Sequence, residues 1–527
     1  MADKQEKETH KEDGSEAGSG EESDYEPQKR REQLPDAVDH FLGLLLTALQ
    51  TRNVPDLHRL YENTFNQLTE KHYKNTKWPS VEAVAEQVSA EPLFIIFYKE
   101  LYYRHIYSRL QVQFEDRKGS WENYCRLMDL ICDDLSQQED LSVALPGQWT
   151  WDLLDEFVYH YQTYCNFRNK AVKIQKEKDI TQIKENADVF KTTTVLTYLH
   201  KVIKASQIEE YLKNPENPEG KQGGAFTDEH VRLFGYCALM QLLRMHSLLG
   251  DYYLAMRTIT CIDFHAEVPL FYSIPACHVT LYYYMGFAYM MQRRYVDAIK
   301  TFSDILVFLS KTSGVNSLSY QYGQIVKKQD QMYALLLICL TLCPQPVDEA
   351  IEKKINETHV EKQSRLQRGE ELCFEELFSY ACPKFVSGAL PDLDSGDNFN
   401  ANEAHQRQLK LFLQEVREQH FLPRISSYMK LYTAIKTSKL SQLCEMDEEG
   451  LRDQLMCVMH KTHQRVRRDG APLDGEIKPC SEVEFYLDGD MVHINATRIE
   501  RPHSDVFIEQ ILKYQDILRK MDKSDKN

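Results

Sequence analysis

No apolar run in this 527-residue chain approaches a membrane span. The longest, Met332 to Cys343, falls well short of the ~20 residues that cross ~30 Å of hydrocarbon. The chain opens on charged residues, with no basic stretch followed by an apolar core, so no secretory leader is expected. None of the 13 cysteines forms a Cys-x-x-Cys pair, and the closest spacing is Cys339 to Cys343. That lack of metal-type spacing predicts reduced, mostly buried thiols, as in a cytosolic or nuclear protein. The zinc-protease pattern H-E-x-x-H, the nucleophile elbow G-x-S-x-G and the phosphate loop G-x-x-x-x-G-K-[ST] are all missing. Gly220-Lys221-Gln222-Gly223-Gly224 has the wrong order for a phosphate cradle and is expected to be a linker. The sequence therefore predicts a non-enzyme with no catalytic, cofactor-binding or metal-binding residues.

An excess of basic charge is lacking too. Against 63 Lys and Arg stand 80 Asp and Glu, a net charge of −17, whereas nonspecific coating of nucleic acid needs a net basic surface. A local basic patch stays possible. What the chain has in plenty is core material: 42% hydrophobic residues and 30 tyrosines, enough for several packed layers.

Residues 1–33 hold 11 acidic and 6 basic side chains around Gly14–Ser23, and this composition predicts a disordered acidic tail. Helical periodicity begins near Pro35. An N-terminal helical region is expected over 34–212 and a helical repeat array over 226–385, with linkers at 213–225, 386–400 and 468–480.

Within the array, aligning Leu254–Ile259 with Asp297–Phe302 gives a period of 43 residues. Tyr282, Met285, Gly286, Tyr289, Ala298 and Phe302 fall on the spacing of a tetratricopeptide-like (TPR-like) helix pair. Leu239, Leu242, Leu243, His246, Ala255 and Ile259 form a degenerate earlier copy. Such a pair needs a small residue where two antiparallel helices cross. Asp251, near His246, is expected to be structural. Leu409, Phe412, Leu413 and Val416 then mark one amphipathic helix, which Pro423 should end or kink.

Three helices follow, at Ile425–Ile435, Lys439–Cys444 and Glu448–His463, with Ser438 and Asp447 as expected N-caps. After them comes a β-hairpin signal in Glu482–Ile494. With Asp488-Gly489 as the turn, Phe485 should face Val492 and Val483 should face Ile494, which gathers Val483, Phe485, Leu487, Val492 and Ile494 on one apolar face. Three helices and a terminal hairpin predict a winged helix over about 424–500. Beyond Pro502, a helix over 504–523 carries Phe507, Ile508, Ile511, Leu512, Tyr514 and Leu518 as a broad apolar stripe, more than a solvated tail should present. This stripe is a candidate partner-binding surface.

Lys461, His463, Arg465, Arg467 and Arg468 make up the one charge cluster worth weighing. The bland reading is cations complementing the negative end of the third helix. The functional one is RNA contact by Lys461, Arg465, Arg467 and Arg468. A DNA-reading winged helix would need more basic and amide side chains on that helix.

The fold class is thus mainly α, with a TPR-like repeat array, a winged helix and a C-terminal helix. This order resembles the PCI-domain family, named for proteasome-lid, signalosome and initiation-factor subunits. The strings Glu100–Tyr107, Arg244–Tyr253, Tyr282–Tyr289, Glu376–Phe385 and Asp490–Ile494 are similar to the subunit L family of eukaryotic translation initiation factor three. That resemblance implies a PCI domain over 295–505 and a cytoplasmic, non-catalytic scaffold of the initiation factor complex. The complex binds the small ribosomal subunit and promotes recruitment of initiator tRNA and mRNA. It further implies subunits K and E as neighbours, with 504–523 joining a bundle of C-terminal helices, and no cofactor, membrane or small-molecule substrate. Two alternatives share parts of the pattern: a scaffold subunit of a proteasome-lid or signalosome complex, and a winged-helix RNA-binding factor.

Overall fold

The computed structural model describes residues 34–87, 91–137, 144–213, 225–264, 274–316, 322–389, 400–419, 422–468, 470–481 and 483–496, with short helical pieces at 507–508, 510–511 and 514–515. The acidic stretch 1–33, residues 214–224 and 390–399 of the expected linkers, and Leu512 and Leu518 lie outside these residues.

Five longer helices shape the first part: α1 (Asp36–Gln50), α2 (Pro92–Arg109), α3 (Phe114–Gln137), α4 (Gly147–Ile174) and α5 (Thr192–Ala205). α1 turns Val38, Phe41, Leu42, Leu45 and Leu49 inward at helical spacing. α2 starts with Pro92 in its first turn, where a missing N–H leaves nothing unpaired. Three of these helices are tied by a buried carboxylate. Glu100 on α2 is fully buried and accepts from its own helix neighbour Arg104 (Nε, 2.9 Å), from Tyr124 on α3 (3.2 Å) and from Trp149 Nε1 on α4 (3.2 Å). A buried charge is tolerated only when it is paired and hydrogen-bonded, and Glu100 meets both conditions.

The array follows as two helix pairs: α6 (Ala225–Leu249) with α7 (Tyr252–Thr258), and α8 (Pro275–Met291) with α9 (Tyr295–Asn316). A Cβ added to Gly286 would lie 2.5 Å from the Phe302 ring, so the small residue predicted at the crossing is required there. In the preceding copy the matching positions hold Leu243 and Ile259, both buried. Bulk is shared between the two helices in one pair and concentrated on one helix in the other. Asp251 caps α7, accepting from the Leu254 N–H at 3.0 Å. α10 (Tyr322–Leu342), α11 (Glu371–Ala381) and α12 (Glu403–Gln419) complete the array. Residues from Val38 to Val416 share one continuous core, which runs without a break beneath the boundary expected at 212–226.

The winged helix has its own core. Its elements are α13 (Leu422–Met429), β1 (Ala434–Lys436), α14 (Thr437–Cys444), α15 (Glu448–Thr462), β2 (His463–Val466), β3 (Glu476–Pro479), β4 (Val483–Asp488) and β5 (Met491–Ala496). Several expectations shift. Pro423 lies in the first turn of α13, after α12 has already ended at Gln419. The first winged-helix helix stops at Met429 because Ile435 pairs with Val492 as the inner edge of a three-stranded sheet ordered β1-β5-β4. Ser438 does not cap α14: β1 runs straight into that helix, whose cap position is Lys436, and the Thr437 N–H donates to the Asp490 carbonyl at 2.8 Å. Asp447 does cap α15, accepting from the Gly450 N–H at 3.2 Å.

The hairpin register differs by two residues from the expected one. Phe485 pairs with Ile494 and Asp488 with Met491, so the central turn residues are Gly489 and Asp490. Only Gly489 of these has positive φ, +58°. A turn on Asp488-Gly489 would have asked Asp488 for positive φ, which a residue with a Cβ adopts less readily. A two-residue shift preserves which side chains share a face. Val483, Phe485 and Val492 are buried as expected, with Leu487 and Ile494 packed against them.

Residues 468–480 were expected to link and instead clasp. β2 and β3 form a separate two-stranded ribbon, and its connection closes over the start of α9. The buried Arg294 guanidinium donates to the carbonyls of Pro472 (2.9 Å) and Asp474 (2.8 Å) and to the Asp297 carboxylate (2.8 Å). Tyr289 adds a hydroxyl bond to the same Pro472 carbonyl at 2.9 Å. Gln464 on β2 accepts from the Tyr295 N–H at 2.9 Å, satisfying a donor at the α9 N-terminus.

Candidate interaction surfaces

The helix carrying the basic cluster ends at Thr462, so only Lys461 of the five lies in its last turn. That lysine is nearly enclosed and bridges to Glu415 and Glu418 on α12, the latter at 2.6 Å. Hydrogen bonding to Lys461 holds the Glu418 carboxyl below its usual range. The reading of free cations at a helix end therefore gives way to an interhelical strut and a strand. Arg467 is half-buried, with its backbone N–H donating to Asp297 at 3.0 Å and its guanidinium 4.9 Å from the Phe264 ring. Arg465, opposite Ile477 on the ribbon, and Arg468 are exposed. Of the four residues offered for RNA contact, two are tied into the fold and two face solvent.

The C-terminal stripe is open among the described residues. Phe507, Ile508, Ile511 and Tyr514 are each more than half exposed, with Phe507 at 66%. Scattered apolar side chains on a surface are ordinary, whereas these four large exposed ones fall within eight residues of sequence.

One constellation that sequence spacing does not reveal has catalytic overtones. Ser120 Oγ lies 2.9 Å from His160 Nδ1, and His160 Nε2 lies 3.4 Å from Glu156. Burial pushes the Glu156 carboxyl up, but His160 and the Arg104 and Arg244 guanidinia outweigh it and hold the carboxyl below its usual value. A nucleophilic serine must meet its substrate. Here Ser120 and His160 are buried, Tyr107 stacks on the imidazole at 3.9 Å and Tyr124 meets it edge-on at 4.8 Å. The group braces α3 against α4. Among the described residues no set of three or more His, Cys, Asp or Glu is placed to hold a metal ion, and no helix is long and apolar enough to cross a membrane.

A helical repeat array clasped to a winged helix defines a mainly-α repeat protein with a small winged-helix module. Residues 116–514 match the family model described as RNA polymerase I-associated factor PAF67. The chain is 40% identical over 521 residues to eukaryotic translation initiation factor 3 subunit L of Nematostella vectensis, covering 97% of this chain and 98% of that one. It is also 40% identical to the subunit L of Gallus gallus and 39% to that of Homo sapiens. Each of those matches spans 474 residues, 88% of this chain and 83% of the relative. The chain belongs to the eukaryotic translation initiation factor 3 subunit L family.

Proposed function

We propose that this chain is a non-catalytic scaffold subunit of the initiation factor three complex. In that complex it serves binding to the small ribosomal subunit and recruitment of initiator tRNA and mRNA. The observation that carries this reading is the 40% identity sustained over 98% of a relative named for that complex. Its setting is the cytoplasm, where initiation takes place. The exposed stripe Phe507, Ile508, Ile511 and Tyr514, continued in sequence by Leu512 and Leu518, docks against helices of neighbouring subunits, with K and E as the expected neighbours. Arg465 and Arg468 are the cations of the 461–468 cluster available to ribosomal RNA. Affinity purification of the tagged full-length chain from cell lysate tests the assignment. Initiation-factor and small-subunit ribosomal proteins are the expected companions. Recovery of proteasome-lid or signalosome subunits, or of nucleic acid alone, would overturn it.

A further inference from the structure

Two cores meet at the junction of array and winged helix without merging. Val416 near the end of α12 belongs to the array core, and Leu422, Ile425 and Met429 on α13 belong to the other. The Arg294 clasp grips the ribbon, whose connection carries Leu473 and whose far end leads to Cys480, both packed against the array. On the three-helix body itself the tie is Lys461 on α15, only 7% exposed, which reaches Glu415 and Glu418 on α12. Arg293, in the turn between α8 and α9, stands 3.9 Å from Glu415. Two carboxylates one helical turn apart thus share one enclosed ammonium, and without it they repel.

Between the end of the array and α13 lies a cleft of ≈ 900 Å³. Leu340, Ile355, Leu366 and Phe374 give its array side apolar walls, and Leu422 and Arg424 line it from α13. Apolar walls gain by meeting, and folded interiors leave few voids of this size. Charge matches across the gap. Glu352, on the helix Glu349–Thr358, lines the array side and has no ion-pair partner among the described residues. Arg424 pairs with Glu445 at 3.4 Å, a contact between exposed side chains that is worth little in water.

We propose that the winged helix rocks on the Lys461 strut between this open position and a closed one, in which α13 moves onto the cleft wall and Arg424 exchanges Glu445 for Glu352. Lys461 is the lock. While it holds Glu415 and Glu418, the open position is kept; once they part, α13 swings in and the apolar walls are covered by this chain's own helix. Because the chain runs on from β5 to Phe507, the rocking re-aims the apolar stripe proposed for docking. The motion does not depend on that docking role, and a distance alone reads it.

The test is double electron–electron resonance on the full-length chain, with spin labels carried by non-natural residues at Glu357 and Ser427. Both positions are exposed, on the two helices that flank the cleft, and the native thiols are left alone. The parent chain should give the open distance, and Lys461→Met should add a second, shorter one. Lys461→Arg keeps the cation and should resemble the parent. In the Lys461→Met background, Arg424→Glu should remove the shorter distance, and adding Glu352→Arg should restore it by reversing the pair. If Lys461→Met lowers the melting temperature, Glu418→Gln, on the more exposed arm of the strut, loosens the same lock and should give a smaller share of the shorter distance. An unchanged distance in both lock variants overturns the proposal. So does a shorter distance that survives Arg424→Glu, or a shapeless spread of distances that the charge reversal does not resolve.

Discussion

The guanidinium of Arg294 donates to the main-chain carbonyl of Asp474 at 2.8 Å, across 180 residues of sequence. Its other bonds, to Pro472, Leu473 and Asp297, leave this cation fully engaged inside the joint between array and winged helix. Asp297 in turn receives the Arg467 N–H from the far end of β2. This side of the joint is therefore built on a buried ion pair whose remaining donors close a loop. Arg294→Met removes one partner of a buried pair, a change that costs about 3–5 kcal/mol, and strands the Asp297 carboxylate. The expected outcome is a lower melting temperature together with new proteolytic cleavage between 468 and 476. Arg465→Ala, at an exposed site, should change neither.

Crossing helices in the array make a second prediction. Gly286→Val forces a side chain into the Phe302 ring, and overpacking of this kind costs about 1–3 kcal/mol. The earlier copy shows the remedy, with Leu243 and Ile259 at the matching positions. Adding Phe302→Leu to Gly286→Val should recover part of the lost stability in chemical denaturation. If the two changes simply add, the contact between 286 and 302 is not the cause.

Features that depend on local spacing were legible in the sequence, and those that depend on distant partners were not. Gly286, Ala298 and Phe302 announced a helix pair because the crossing imposes size at fixed intervals. The apolar face of β4 and β5 was legible because side chains alternate with a period of two, and a two-residue error in the turn leaves that alternation intact. The turn itself depended on which residue takes positive φ, and Asp488-Gly489 and Gly489-Asp490 look alike on paper. Gly470, Pro472 and Gly475 made the ribbon read as a linker. Only Arg294, far upstream, reveals that their carbonyls are a binding surface.

The winged-helix core predicts its own response. Phe485 is 8% exposed and packs with Ile435, Leu451 and Val492 in a cluster separate from the array. Phe485→Ala should cost about 3–5 kcal/mol, and because that core is distinct, the loss should appear as earlier hydrogen exchange in β4, β5 and α15. Protection of α8 and α9 should hold. Uniform loss across the chain would show that the two cores unfold as one.

Acid should act through His278. Burial among Tyr282 and Phe308 drops its imidazole to about 4 from an ordinary 6.5. The fold holds the neutral form, so this contribution is complete above pH 6.5 and is lost as pH falls toward the folded value. The loss amounts to about 3 kcal/mol across that window. His278→Phe should flatten the pH dependence of the unfolding free energy between those values. A slope equal to that of the parent chain would mean that other groups set it.

The C-terminal stripe gives the most direct test of assembly. Phe507, Ile508, Ile511 and Tyr514 are exposed, so losing these four in a chain ending at Arg501 gives up none of the burial that holds the array or the winged helix together. Its melting temperature should match that of the full-length protein. In a complex the balance differs. Burying each large apolar side chain is worth about 1.5–3 kcal/mol, and four of them together approach the ~4–15 kcal/mol that association loses in translational and rotational freedom. Removing them should therefore tip docking from stable to weak. Pull-down of tagged full-length and truncated chains from the same lysate should recover initiation-factor subunits with the first and much less with the second. Restoring Phe507 to Leu518 with aspartate at Phe507, Ile511 and Tyr514 separates the apolar face from mere chain length. That variant should behave like the truncation. Should it assemble normally, the stripe is not the docking surface, and a truncation that melts early would instead mean that this helix supports its own winged helix.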